Sequence, residues 1–263
     1  MKPEQFMYLY IFVLAQRGGV GKSFFTQLVH SLLAMLALRI IVLDADVGNS
    51  STATLYGSAR PVDLQATTAR GTVLRAIDEL KSEVAHTVLM DVGAGKQNEM
   101  VDLLGRASVA AKAAGVRLVW VHPITSCNYV QVEATRAVET AKKLGIALVW
   151  ARQLGQGHKR SDYRYWEKSK GRASGLSYAV ECEIQNADRF LVDNAASLGL
   201  SLDDVARGHF EGLEDTDRAL AEQLFDLDVQ CFAADYLAEA TDALGLAITE
   251  AVARAAAFEK KSK

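Results

Sequence analysis

Ala15-Gln16-Arg17-Gly18-Gly19-Val20-Gly21-Lys22-Ser23 stands between an apolar run, 8–14, and a segment whose apolar residues recur at helical spacing. Glycines allow the tight turns that aim successive N–H groups at phosphate oxygens. A helix starting near Lys22 adds the positive end of its dipole. Lys22 then supplies a full charge between β- and γ-phosphates, and the Ser23 hydroxyl is a hard oxygen ligand for Mg²⁺. A glycine turn capping a helix would explain the glycines but not the Lys-Ser pair. Arg17, Gly18, Gly19, Val20, Gly21, Lys22, Ser23 and Phe24 are therefore the candidate cofactor-binding residues. The strict phosphate-loop pattern has glycine at position 16, where this chain has Gln16.

Working outward, short apolar runs at 8–14, 39–43, 87–91, 116–121 and 146–150 read as strands covered on both faces. Phe25, Leu28, Val29, Leu32, Leu33 and Leu36 mark one buried helical face, and 128–144 repeats it with Val130, Ala134, Ala137, Val138, Ala141 and Leu144. Strand–helix alternation with right-handed crossovers predicts an α/β fold, a doubly wound and mostly parallel sheet of P-loop type with a helical C-terminal part. A further strand is expected at 178–183 and a helix at 186–198. A long stripe then follows: Phe225, Val229, Phe232, Ala233, Tyr236, Leu237, Ala240 and Leu244. The expectation is one domain over 1–263, with a nucleotide core at about 8–155, a basic loop at 151–175 and helices over 186–258.

The loop resembles the Asn-Gln-Lys-Gly-Gly-Val-Gly-Lys-Thr loop of the ParA/MinD superfamily of deviant Walker-A ATPases. The resemblance implies ATP and Mg²⁺ as cofactors. In that family the lysine before Gly-Gly reaches across a nucleotide-sandwich dimer, and Arg17 holds that place here. Ile41-Val42-Leu43-Asp44-Ala45-Asp46 resembles the strand ending in Asp-x-Asp, which implies that Asp46 borders the attacking water and the Mg²⁺ shell. Val88-Leu89-Met90-Asp91 resembles the strand carrying the Walker-B aspartate, with Gly93-Ala94-Gly95 as a switch; many members have proline at the position of Gly93. The implied catalytic set is Asp46, Lys22 and Arg17, and the implied metal set is Ser23, Asp46 and Asp91. Within the superfamily, Asp44 to Ser51, Met90 to Ala94, Val119 to His122 and Ala147 to Trp150 resemble TraL/StbC-like proteins of plasmid transfer and stability. Members often place a base-contacting asparagine just after the strand ending at Trp150, where Ala151 and Arg152 stand.

The net charge of −3 hides an asymmetry. Residues 151–175 hold seven Lys/Arg against two Asp/Glu, whereas 176–263 hold seven against eighteen. His158, Lys159, Arg160, Arg164, Lys168, Lys170 and Arg172 interleave with Tyr163, Tyr165 and Trp166. Basic groups neutralise phosphates and aromatic faces stack on bases, so this segment reads as a nonspecific DNA patch. The other reading is a solvated loop whose aromatics pack back on the domain. Ile248, Ala251, Val252, Ala255 and Phe258 could face a membrane surface, but a mostly alanine face gains little by burial there, so a docked or fraying helix is expected.

The apolar run 8–15, which Phe6 and Met7 extend to ten residues, is far shorter than a membrane span. Residues 1–5 lack the basic-then-apolar layout of a secretory signal. Cys127, Cys182 and Cys231 are widely spaced, arguing for reduced thiols in a cytoplasmic setting and for small core residues. Asn98 stands where a Gly93-x-Gly95 dinucleotide fingerprint needs glycine, which excludes that reading. His30, His86, His122 and His209 have no metal-ligand spacing. The sequence thus predicts a slow ATPase whose ATP-bound homodimer engages DNA or a plasmid-encoded protein partner. Its rivals are a nucleotide-dependent binding module without hydrolysis and a small-molecule kinase or synthetase.

Overall fold

The structure, a computed structural model, describes residues 1–46, 51–154 and 160–261. In chain order the elements are β1 Leu9–Val13, α1 Lys22–Met35, β2 Ile40–Ala45, α2 Ser51–Leu55, β3 Arg60–Pro61, α3 Ala69–Lys81 and β4 Thr87–Val92. There follow α4 Gln97–Ala113, β5 Arg117–Ile124, α5 Asn128–Leu144, β6 Ala147–Leu154, α6 Arg164–Glu167, α7 Lys170–Gly175 and β7 Val180–Gln185. The chain ends with α8 Arg189–Ser197, α9 Leu202–Arg207, α10 Asp215–Leu224 and the 35-residue α11 Leu227–Lys261.

The seven strands form one sheet in the order β3-β2-β4-β1-β5-β6-β7. All six pairings are parallel, with Val13 beside Asp91 on one side and Val121 on the other. After β1 the chain moves to one side of the sheet, and after β4 it crosses β1 to the other. The crevice beyond the C-terminal end of β1 is therefore a topological switch point, where α/β sheets bind ligands.

The central strands are apolar throughout because both faces are covered: β1 and β4 are buried at every position. The α1 residues Phe25, Leu28, Val29, Leu32 and Leu33 are buried against the sheet. On α5, Val130, Ala134, Ala137, Val138 and Ala141 do the same. Gly145 ends α5 in the left-handed conformation, φ 68°, which a residue with a Cβ adopts only under strain.

Several sequence expectations need correction. The strand expected to stop at Trp150 runs on to Leu154 as β6, because Arg152 is buried and neutralised by Glu167, Glu181 and Glu183. The stretch expected as a basic loop is the end of β6, a 3₁₀ turn over 160–163 and two short helices. In the C-terminal stripe Phe232 is exposed, and Phe225 closes α10 instead of belonging to α11. Of the cysteines, Cys182 is buried, Cys127 is half-buried and Cys231 is exposed. Strand β3 is a two-residue exposed edge with no apolar run to announce it. Helix α11 docks through Leu237, Leu244, Ile248, Ala251 and Ala255. No helix of the described residues is long and apolar enough to cross a membrane.

Candidate functional site

Leu14 and Ala15 continue β1 into the core, and the chain then turns through 16–21 before α1 begins. Gly19 and Gly21 have φ of 68° and 85°, so the loop requires the residue type the sequence supplies. Gly21 caps α1 without a side chain, leaving the first-turn N–H groups of a 14-residue helix to a ligand. Lys22 is 7% exposed and its Nζ donates to the Arg17 carbonyl at 2.9 Å, lying back over the loop. Burial lowers the Lys22 ammonium from its ordinary value, and the carboxylates of Asp91, Asp46 and Glu133 oppose that shift.

Both aspartates predicted from the strand ends reach this crevice. The β2–β4 register places Asp44 beside Asp91 and carries Asp46 to Gly93. Asp44 is structural: its Oδ1 accepts from Asp46 N at 2.9 Å and its Oδ2 from Ala53 N at 3.0 Å, fixing α2. A Cβ on Gly93 would lie 2.9 Å from Asp46 Oδ1 and 3.1 Å from the Ala45 carbonyl, so a side chain here would press directly on this aspartate. Burial raises the Asp91 carboxyl from its ordinary value, hydrogen bonds from Thr52 and Ser23 pull it back, and the charge of Asp44 adds to the rise. The loop after β4 is tied to the phosphate loop by Gly95 N, which donates to Gln16 O at 2.8 Å, and Ala94 Cβ lies 3.6 Å from where a Cβ on Gly18 would stand.

The donor set fits a magnesium–phosphate ligand. Among the described residues no three His, Cys, Asp or Glu side chains form a metal cage. Mg²⁺ takes few protein ligands and completes its shell with water and phosphate, so hydroxyl and carboxylate oxygens at a phosphate loop suffice. Ser23, Asp46 and Asp91 are the residues that could hold it. Phe24 turns its ring toward Phe25 and Tyr236, at centroid distances of 5.9 and 6.5 Å, leaving its backbone as its contribution to the loop.

A family model, the CobQ/CobB/MinD/ParA nucleotide binding domain, matches residues 11–256. The chain belongs to this family. Its ParA/MinD membership agrees with the resemblance of the loop and places it among P-loop ATPases. Of solved structures, a chain of the MinC:MinD cell division protein complex of Aquifex aeolicus shares the fold, with a TM-score of 0.51 at 14% identity over 82% of this chain and 95% of that one. Apo McdA of Cyanothece gives 0.49 at 14% identity, over 88% and 99% of the two chains. A nucleotide-binding protein of Archaeoglobus fulgidus in complex with ADP gives 0.48 at 15%, over 73% and 87%. No curated protein matches the chain.

Against this CobQ/CobB/MinD/ParA frame, Arg17 takes an unexpected pose. Its Nη1 donates to Cys127 Sγ at 2.8 Å. Burial would raise the Cys127 thiol, but the Val130 and Tyr129 N–H groups and the Arg17 guanidinium outweigh it, and the net shift is downward. Ala151 and Arg152, expected at the base position, are interior to β6 and do not reach the crevice. Gln153, the next residue, reaches the phosphate loop: its Oε1 lies 3.1 Å from where a Cβ on Gly21 would stand, and its Nε2 donates to Asn186 Oδ1 at 2.9 Å.

The aromatics of the basic segment pack back on the domain. Tyr163 and Trp166 are fully buried; Tyr163 Oη donates to Gln153 O at 2.5 Å and Trp166 Nε1 to Glu181 Oε1 at 3.0 Å. Arg172 Nε donates to Glu181 Oε2 at 2.6 Å, so β7 neutralises part of the charge. Arg164, Lys168 and Lys170 are exposed, as is Tyr165. Val47 to Ser50, His158 and Lys159 lie outside the described residues, and Arg160 opens the 3₁₀ turn.

Sequence reasoning missed Thr52, Glu133, Gln153 and Asn186. Glu133 carried a usable signal, since an acid three residues after Val130 falls on the buried face of α5. The others depend on long-range packing.

Proposed function

We propose that this chain is an ATP- and Mg²⁺-dependent switch ATPase of the ParA/MinD type, working as one domain in the cytoplasm. The observation that carries the reading is Lys22, buried at the start of α1 with the charges of Asp46 and Asp91 directed at it. Bound Mg-ATP supplies the scissile phosphoanhydride and a divalent charge to offset its phosphates. Lys22 and the loop N–H groups would hold the phosphate oxygens, and Ser23, Asp46 and Asp91 would hold the metal and its water shell. Asp46, supported by glycine at position 93, orients the attacking water and takes its proton. Gln153 and Asn186 offer amide donors and acceptors to a base.

ATP-driven homodimerisation with Arg17 crossing to the partner's phosphates follows from the family resemblance, and the resemblance to TraL/StbC-like proteins favours plasmid stability, segregation or conjugative transfer. The exposed Arg164, Lys168 and Lys170 provide charge for nonspecific DNA, or a plasmid-encoded protein binds the ATP form. Calorimetry of Lys22→Ala tests the foundation: affinity for ATP should fall by more than about a hundredfold, two 1.4 kcal/mol steps. Unchanged affinity would remove the phosphate-loop reading.

A second reading rests on a specific observation. A cleft of about 400 Å³ beside the loop is lined by Gln16, Gln97, Asn98, Asn128, Glu133 and Arg136, among others. An acceptor substrate of a kinase or synthetase would need such a space, here walled also by Tyr129 and Val132. Product analysis with γ-labelled ATP separates the two: free phosphate supports the switch, and label retained on a small molecule supports the transferase.

A further inference from the structure

The ends of α4 and α5 and the last turn of α11 border a hollow of about 560 Å³. It lies at the opposite end of the sheet from the phosphate loop. Arg117, which opens β5, pairs in register with Leu9 at the start of β1, whereas the loop follows the far end of that strand. Four cations line the hollow, Lys112, Arg117, Lys142 and Lys143, and one carboxylate, Glu259, lies among them.

Glu259 shows what the hollow accepts. Lys112 Nζ donates to its Oε1 at 3.4 Å, and Arg117 Nη1 donates to its Oε2 at 3.1 Å. A Cβ on Gly145 would lie 2.6 Å from Oε1, so the carboxylate is seated against bare backbone. Burial would raise this carboxyl, but the Arg117 and Lys112 hydrogen bonds and charges outweigh it, and the net shift is downward. The other two cations are less well matched. Lys142 reaches Glu139 at 3.5 Å, a residue 80% exposed and outside the lining, and Lys143 has no partner among the described residues.

Cations in the last turn of a helix ordinarily answer its dipole, and α4 and α5 both end here. Each helix end is equivalent to about half a negative charge, so the two ends and Glu259 together answer about two of the four cations. About two positive charges are left over, in a concave space of the size that small ligands fill.

We propose that this hollow is a binding site for a small phosphate-bearing molecule, with Glu259 as the chain's own competing anion. Lysine ammonium groups are flexible point charges that suit phosphate, and the Arg117 guanidinium offers two parallel donors. Phe258 and Val109 line the same hollow and are exposed, giving the organic part of such a ligand an apolar wall. An occupant draws Lys112 and Arg117 away from Glu259, and those two contacts tie the end of α11 to α4 and β5. A hollow with a carboxylate among its cations suits a compact anion better than a duplex, whose phosphates follow an extended line.

The test follows inorganic pyrophosphate by calorimetry as it is titrated into the full chain saturated with ADP, and into Lys22→Ala without nucleotide. One pyrophosphate should bind in each case, because the hollow does not use the phosphate loop. Binding lost in Lys22→Ala would assign the anion to the loop and overturn the second site, as would no binding in either protein. Arg117→Gln combined with Lys143→Gln should weaken the affinity about tenfold, two partly exposed charge pairs each contributing about threefold. An unchanged affinity in a double variant that still melts cooperatively overturns the assignment to these residues. Glu259→Gln should tighten binding about threefold by removing the competitor. Glu250→Gln makes the same charge change on α11 outside the hollow and should leave the affinity as it is. Equal tightening by both would reveal only the general field of the helix and overturn a built site. A random duplex that binds through Arg117 and Lys143 where pyrophosphate does not would make this a nucleic-acid face and overturn the small-ligand site.

Discussion

Thr52 Oγ1 donates a 2.6 Å hydrogen bond to Asp91 Oδ2, tying the short helix after β2 to the buried carboxylate near the end of β4. Asp44 grips the same helix through Ala53 N. Helix α2 is thereby attached at two points to the strand ends that carry the candidate metal residues, and a ligand that draws on Asp91 competes with Thr52. Thr52→Val should destabilise the nucleotide-free protein by about 2 kcal/mol, since it removes a bond to a buried charged acceptor. Chemical denaturation in the absence of metal measures it, and a loss under half of that would make the contact incidental.

Asp91 has the opposite signature. Burial raises its carboxyl, so the folded pKa exceeds the unfolded value and the ionised group opposes folding at neutral pH. That penalty is fully present above the folded pKa and fades as pH falls through it toward 3.8. Asp91→Asn should therefore raise the apo melting temperature by about 2 °C at pH 7. The gain should shrink as pH is lowered through that window, while Mg²⁺-dependent nucleotide binding is lost. A variant less stable than the parent at pH 7 would show that its hydrogen bonds outweigh its burial.

Asp46→Ala and Gly93→Ala should resemble each other. The first removes the carboxylate that orients water; the second places a methyl group 2.9 Å from that carboxylate's Oδ1 and displaces it. Both should retain ATP binding and lose about a hundredfold in hydrolysis, the size of one general-base contribution. Gly93→Ala hydrolysing at the parental rate would show that Asp46 is not held in place by its neighbour.

Much of this arrangement was legible from residues that act locally. The loop glycines, Lys22 and Ser23 are consecutive, and Asp46 and Asp91 follow apolar runs that could only be strands. Helices α3 and α4 were harder to read. The buried face of α4 is Met100, Leu104, Ala107 and Ala111, and alanine gives little contrast to a periodic pattern. Arg152 looked like the polar exit of a strand, but three glutamates from outside that strand bury it. For Tyr163 and Trp166 the sequence leaves both a stacking platform and packing back on the domain open, because nothing local shows that Gln153 O and Glu181 receive their polar atoms. Local chemistry was visible in the sequence; the partners that neutralise it stand on other elements.

The packing under α7 gives a stability prediction free of any functional assumption. A Cβ on Gly175 would collide with the Trp150 ring and lie 3.1 Å from Val138 Cγ2. Gly175→Ala should cost about 2 kcal/mol by overpacking, read as a lower denaturation midpoint with unchanged slope. Nucleotide affinity at low temperature should be retained, because β6 carries Gln153 beyond the disturbed ring. A midpoint equal to the parent's would mean that α7 shifts without resistance.

The basic segment gives the last prediction, now narrower than its sequence suggested. With Arg172 committed to Glu181 and two aromatics buried, Arg164, Lys168 and Lys170 are the described cations left to meet phosphate on this face. Phosphate contacts have no base identity, so any duplex binding through them should be independent of sequence. Each neutralised phosphate releases condensed counterions, so changing all three to glutamine should reduce the salt slope by up to about 3. Arg172→Gln should instead lower stability, because it exposes the charge of Glu181 while leaving the slope unchanged. Anisotropy with a random duplex at two salt concentrations, with and without ATP, makes the comparison. Because 176–263 is strongly acidic, binding should strengthen when an ATP dimer presents two copies of the patch. A triple variant with the parental slope would move the DNA site elsewhere, and a parent that binds no duplex in either state would leave a protein partner as what the switch controls.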